Sequence, residues 1–223
     1  MKAVIDTGTM ITLSGTCLMN VFRNFIKENN IELLISSTVA EESVWKPLTN
    51  KRFALNAARI KYAINEKIVK LIPTNKETQI LQQKILNTAN ACFSSNEGNL
   101  EIIQAGEAEA LALIKIHQAR ALFIDERTTR ALIENPTRLK QILERRQDKK
   151  ITMNSKNIEL IKQMFGGLLM FRSIDIVATS YEQNLFDHEL GHGKLELEAA
   201  LYATKFNGCA VSEKEIKEYL EKK

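Results

Sequence analysis

Ala3-Val4-Ile5-Asp6-Thr7-Gly8-Thr9 is the stretch from which the fold is read. A short apolar run, two of its three residues β-branched, breaks off at an acid followed by hydroxyl residues and a glycine. That is the pattern of a buried strand whose C-terminal end turns at once into a helix. Ala121-Leu122-Phe123-Ile124-Asp125 repeats it more than a hundred residues later. Between and beyond these two, Ile31 to Ser37, Val69 to Ile72 before Pro73, and Leu168 to Phe171 read as further short strands.

The intervening segments have helical period. Met10, Ile11, Leu13, Leu18, Val21, Phe22 and Phe25 suggest one helix with these side chains turned inward. Ser36-Ser37-Thr38 offers cap residues for a helix from about Val39, and further helices are expected over Phe53–Glu66, Thr78–Ala91 and Ala105–Gln118. Asn96 to Asn99 reads as a loop. After Arg172-Ser173, helices follow to Gln183, over Leu195–Phe206 and over Ser212–Leu220. Strands alternating with helices imply an α/β fold around a mainly parallel sheet of about five strands, with right-handed crossovers placing helices on both faces.

Composition bounds the function. The 223 residues are 44% hydrophobic and 26% charged, so a single domain with a real core is expected over 1–223. A helical, basic insertion at about 131–165 and closing helices at about 195–223 would complete it. The net charge of +4 permits an acidic partner such as nucleic acid without requiring one. No apolar run reaches the roughly 18 residues of a membrane span, and no secretory signal fits the N-terminus. Cys17, Cys92 and Cys209 are odd in number and scattered, which argues for reduced, buried thiols in a cytoplasmic protein.

Strand ends of an open parallel sheet share one edge, where ligands bind. Asp6 and Asp125 each occupy such an end. Glu42 lies in the first turns of the helix after the second strand, and Glu107 near the start of the Ala-rich helix. Four carboxylates brought together repel one another, and a hard divalent cation such as Mg²⁺ or Mn²⁺ resolves that conflict. Metal-assisted phosphodiester hydrolysis is the chemistry such a cluster supports. Glu41 competes with Glu42 for this position. Glu109 competes with Glu107, but two residues apart on a helix they point about 200° from one another. Gly106 favours Glu107 by allowing close backbone approach. Glu126 ranks below Asp125. Thr7 and Thr9 could bond Asp6 or a phosphate, or simply cap the helix. Arg127 and Arg130 could reach backbone phosphates, and Arg172 either does so or pairs with a neighbouring carboxylate.

Four segments, in order, resemble the PIN-domain family. "AVIDTGTMITL" is similar to its first strand, "ISSTVAEE" to its second strand and acid-bearing helix, "GEAEALAL" to the Gly-Glu-Ala-Glu-Ala helix of archaeal and bacterial members, and "LFIDERTTRAL" to the strand ending in an acidic pair with Arg130 beyond it. "FRSIDIVATSYEQNLF" and "LEAALYATKFNGCAVSEKEIKEYL" resemble the closing elements. The family carries Ser two places after its first Asp, where this chain has Gly8. The resemblance implies a three-layer α/β/α sandwich and an Mg²⁺- or Mn²⁺-dependent ribonuclease using Asp6, Glu42, Glu107 and Asp125. Many members are toxins held by an antitoxin, and dimers are common. A PIN fold that only binds RNA or scaffolds an assembly is the non-enzymatic alternative.

One motif points elsewhere. His188-Glu189-Leu190-Gly191-His192 matches the His-Glu-x-x-His pattern of zinc proteases, with Glu213 or Glu215 as a distant third ligand. Gly191 and Gly193 weaken the helix that such ligands need, so a polar loop is the preferred reading. The basic run from Arg138 to Lys150 reads as a solvated helix face or as the flank of a nucleic-acid groove.

Overall fold

β1 (Lys2–Ile5) passes through Asp6 into α1 (Thr7–Gly15), and the Asp6 carboxylate caps that helix by accepting from the Gly8 N–H at 3.0 Å. The structure, a computed structural model, describes residues 1–186 and 190–221. The single helix expected from Met10 to Phe25 is two: α2 (Met19–Glu28) begins after a break in which Cys17 adopts φ 60°. The reason is local. The Ser14 hydroxyl donates to the Ile11 carbonyl and the Thr16 hydroxyl to that of Thr12, in a stretch already weakened by Gly15. The break leaves Ile11 39% exposed rather than inside, and leaves Cys17 exposed. Cys92 and Cys209 are buried thiols, as expected.

β2 (Glu32–Ser36) hands over to α3 (Ser37–Ala40), with the Ser36 hydroxyl accepting from the Val39 N–H. A π-helical turn, Glu41–Trp45, and α4 (Lys46–Leu48) continue it. Then come α5 (Ala54–Asn65), β3 (Val69–Ile72) and α6 (Lys76–Asn90). β4 (Phe93–Ser95) and β5 (Gly98–Asn99) form a hairpin where a plain loop was expected. Gly98 makes the turn possible at φ 121°, a backbone angle that side chains disfavour.

The second half runs α7 (Ala105–His117), β6 (Ala121–Phe123), α8 (Arg127–Glu134), α9 (Pro136–Gln147), β7 (Thr152–Met153) and α10 (Ser155–Phe165). β8 (Leu169–Phe171), α11 (Ser173–Glu182), α12 (Lys194–Phe206) and α13 (Glu213–Glu221) close it. Among the described residues, no helix is long and apolar enough to cross a membrane.

The central sheet has the order β3-β2-β1-β6-β8, and every neighbouring pair is parallel. Side chains alternate across it, as the strand period of two requires. Ala3, Ile5, Leu33, Ile35, Ala121 and Phe123 enter a core with Met10, Phe22, Ile60 and Ile174 on one face. Val4, Leu34, Leu122 and Ile124 enter a second core with Ile85, Leu111, Leu132 and Phe165 on the other. Strand residues therefore contact helices on both sides, which explains why each strand reads as an unbroken apolar run rather than an alternating one. The result is an α/β fold with a five-stranded parallel sheet between helical layers. β7 joins the hairpin in a small antiparallel sheet, β5-β4-β7, whose partners lie too far apart in sequence for periodicity to reveal.

Candidate metal centre

The chain leaves β1 toward β2 and β3 on one side, then returns to place β6 and β8 on the other. The strand order thus reverses between β1 and β6, which opens a crevice at their carboxyl ends. The Asp6 N–H donates to the Phe123 carbonyl at 2.9 Å, tying the two strand ends together. A cavity of about 360 Å³ lies here, and Asp6, Glu42, Glu107, Asp125 and Glu126 all line it. Thr7 lines it too, and its hydroxyl donates to Glu42 Oε2 at 2.9 Å.

Each acid reaches the cavity by a different device. Glu42 sits in the π-helical turn, and the α7 backbone comes close to it: a β-carbon added at Gly106 would lie 3.5 Å from Glu42 Oε2. Glu41, its neighbour, is exposed and does not line the cavity. Glu107 is the third residue of α7 and accepts from the Gln104 N–H at 2.9 Å in a capping box. Glu109 faces the other way. It is buried and accepts from the Thr38 N–H at 3.0 Å and from the Thr74 hydroxyl, so it pins α7 to the start of α3 and the segment after β3.

Asp125 is buried, and both of its oxygens are held by Ser173: the N–H donates to Oδ1 at 2.7 Å and the hydroxyl to Oδ2 at 2.6 Å. Glu126 caps α8, accepting from the N–H groups of Thr128 and Thr129 at 2.7 and 2.6 Å.

The electrostatics separate the cavity acids from Glu109. Burial pushes the Asp6 carboxyl up to about 7, and the charges of Glu107 and Glu42 add to the rise against the Gly8 and Thr7 N–H groups. Glu107 is raised as well, first by burial and then by Glu126 and Glu42. For Glu109 burial acts in the same direction, but the hydrogen bonds from Thr38, Thr74 and Ser36 outweigh it and hold the carboxyl below its ordinary range. Glu109 is satisfied, whereas Asp6 and Glu107 are in conflict with their surroundings.

Among the described residues, no three His, Cys, Asp or Glu side chains are drawn together into a formed metal-binding group. The acids line one cavity without closing on a centre. Their chemistry nevertheless fits a hard divalent cation. The donors are all oxygen, the oxygens that accept one hydrogen bond keep a second lone pair, and a bound cation would relieve the repulsion that raises Asp6 and Glu107. Asp6, Glu107 and Asp125 would hold such an ion, with Glu42 beside them.

The remaining candidates fall elsewhere. Arg127 and Arg130 line a neighbouring cavity of about 410 Å³. Arg172 is at its wall but is already engaged: it donates to Asp175 at 3.2 Å and to Glu215 at 2.8 Å. Thr9 is buried, and its hydroxyl has no hydrogen-bond partner among the described residues. His188 and Glu189 of the His-Glu-x-x-His pattern lie outside the described residues. His192 stacks on Tyr181 with ring centroids 4.2 Å apart, Glu213 pairs with Lys205, and Glu215 pairs with Arg172.

Ser173 and Gln104 were not singled out from the sequence. Ser173 stands 48 residues from the acid it holds, so no local pattern reveals the pair. Gln104 carried only half a signal: Glu107 three residues on suits a capping box, but Gln is not one of the residues favoured at the cap. Comparison of the chain with protein-family models, curated proteins and solved structures finds no match.

Proposed function

We propose that this protein is a PIN-like, Mg²⁺- or Mn²⁺-dependent nuclease, and that its substrate is RNA cut within the chain. The observation that carries the reading is the meeting of Asp6, Glu42, Glu107 and Asp125, from four separate elements, in one cavity at the switch point of the sheet. The order of sequence motifs that resemble the PIN family supports it from a different direction.

A bound Mg²⁺ or Mn²⁺ would supply charge stabilisation at a phosphate oxygen and a more acidic water. The rest is the work of the chain. The β1 and β6 ends hold Asp6 and Asp125 on rigid backbone, and Ser173 fixes the direction of both Asp125 oxygens. Thr7 orients Glu42, and the Gln104 N–H orients Glu107. Because Asp6 resists ionisation when alone, the cavity is poised to exchange a proton for a cation near neutral pH.

The test is cleavage of an end-labelled RNA oligonucleotide with Mn²⁺ or Mg²⁺ by the parent, Asp6→Asn and Asp125→Asn, each checked for folding by thermal melting. Cleavage is expected from the parent alone. Equal cleavage by all three would remove these acids from the reaction, and RNA binding without cleavage under any divalent cation would favour a non-catalytic role.

A further inference from the structure

The second cavity adjoins the first along two walls. Glu126 lines one and Arg127 the other, at the start of α8; Gly208 lines one and Ala210 the other, in the segment between α12 and α13. Besides Arg172, three arginines line this second space: Arg127 and Arg130 from α8 and Arg138 from α9. Among the described residues none of the three has an ion-pair partner, although Glu134 lines the same cavity. The Nε of Arg130 is buried with no hydrogen-bond partner among the described residues. Arg172, on the opposite wall, shows the contrast, since Asp175 and Glu215 already neutralise it.

A buried, unpartnered guanidinium N–H is costly unless a ligand satisfies it. Guanidinium groups suit phosphate oxygens because their donors form a rigid planar fork. The cationic surface also continues outward. Arg145 follows Arg138 by seven residues, two turns of α9, and so shares its face about 10 Å farther along the axis.

We infer that Arg127, Arg130 and Arg138 form a phosphodiester-binding subsite, which holds the backbone of an RNA strand beside the carboxylate cavity and leads it outward along α9. The inference deepens the nuclease reading and rests on it for the identity of the strand. Arg127, Arg130 and Arg138 would bind phosphate without reading bases, so the subsite sets the position of the strand rather than its sequence.

Binding of a fluorescent single-stranded RNA oligonucleotide is measured by anisotropy in EDTA, over 50 to 200 mM salt, for the parent and for Arg127→Gln, Arg130→Gln and Arg138→Gln. Lys84→Gln, on the exposed face of α6, serves as the control, and thermal melts confirm that each variant is folded. Each arginine variant is expected to bind roughly three- to tenfold more weakly and to lower the slope of log affinity against log salt by about 0.7. The control should match the parent.

Undetectable binding by the parent at 50 mM salt, unchanged binding in the three arginine variants, or an equal loss in Lys84→Gln would overturn the subsite. Failure of the nuclease reading looks different. In that case the arginine variants lose affinity as expected, while the parent leaves RNA uncut in Mn²⁺.

Discussion

Two charged clusters stand near the carboxyl edge of the sheet and have been resolved in opposite ways. Around Arg172, every charge has a partner. Asp175 and Glu215 accept from the guanidinium, Tyr219 donates to Asp175, and the Ser212 N–H and hydroxyl donate to Glu215. Although partial burial opposes it, the Ser212 and Arg172 contacts draw the Glu215 carboxyl down to about 2, and Asp175 draws the Arg172 guanidinium up. In the cavity at β1 and β6, carboxylates meet carboxylates, and Asp6 and Glu107 are pushed up instead. The first cluster holds α13 against the start of α11. The second is a place where the fold tolerates a conflict, and conflicts of this kind are concentrated at functional sites.

The sharpest way to break this contrast is to remove one acid from the frustrated cluster. Asp125→Asn is expected to lower RNA cleavage in Mn²⁺ by at least roughly a hundredfold, as does loss of one preorganised electrostatic group in other enzymes. Its melting temperature should stay near that of the parent, because the amide oxygen still accepts from the Ser173 N–H and the amide NH2 can donate to the Ser173 hydroxyl oxygen. A variant that melts far lower, or one that cuts at the parent's rate, would place Asp125 with the structural cluster.

Stability against pH gives the next largest effect. The folded-state carboxyl of Asp6 lies near 7 against an ordinary 3.8, so its favourable contribution is complete below pH 3.8 and is lost as pH rises through about 7. In metal-free buffer the parent should lose roughly 2–3 kcal/mol from this group between pH 5 and pH 8. Asp6→Asn should escape that loss, so that the variant melts higher than the parent at pH 8, by a few degrees per kcal/mol. Adding Mn²⁺ at pH 8 should raise the parent's melting temperature and leave the variant's nearly unchanged. A parent insensitive to Mn²⁺ would mean that the acids do not share an ion.

The satisfied cluster should respond in the reverse sense. Arg172→Ala is expected to cost about 2 kcal/mol, less than a fully buried pair because Asp175 and Glu215 keep part of their hydration. A urea titration would detect it as an earlier midpoint with unchanged slope. Smaller still, Glu109→Gln should cost about 1 kcal/mol through its bonds to Thr38 and Thr74. Its cleavage rate per folded molecule should stay intact, while Glu107→Gln should lose cleavage. If the two exchanged behaviour, the orientation of α7 described above would be wrong.

Much of the scaffold was legible because parallel strands covered on both faces leave simple apolar runs. Val69–Ile72 is β3 as read, and the runs ending at Asp6 and Asp125 mark β1 and β6 directly. Asp6 and Asp125 could be seen for the same reason, since a strand end fixes where the next side chain points. Helical spacing already set Glu107 and Glu109 on different faces. It could not say that Thr38 and Thr74 would satisfy one of them, because those contacts span 71 and 35 residues. The break at Cys17 was hidden by an apolar period that runs on regardless of backbone, and the hairpin at Gly98 by the distance of its partner β7. The arginine cavity was half visible. Arg127 and Arg130 stand out beside Asp125, but only the packing of α9 on α8 brings Arg138 to them.

The clamp between Asp125 and Ser173 also has a consequence in time. During synthesis Asp125 emerges 48 residues ahead of the serine that holds it, an interval of roughly 2–10 s at ordinary translation rates of about 5–20 residues per second. β1, first out, must wait for β6, and β6 for the start of α11, before the edge is complete. A nascent chain thus exposes its acids before it can aim them, and the cavity takes its final shape only after Ser173 has been made.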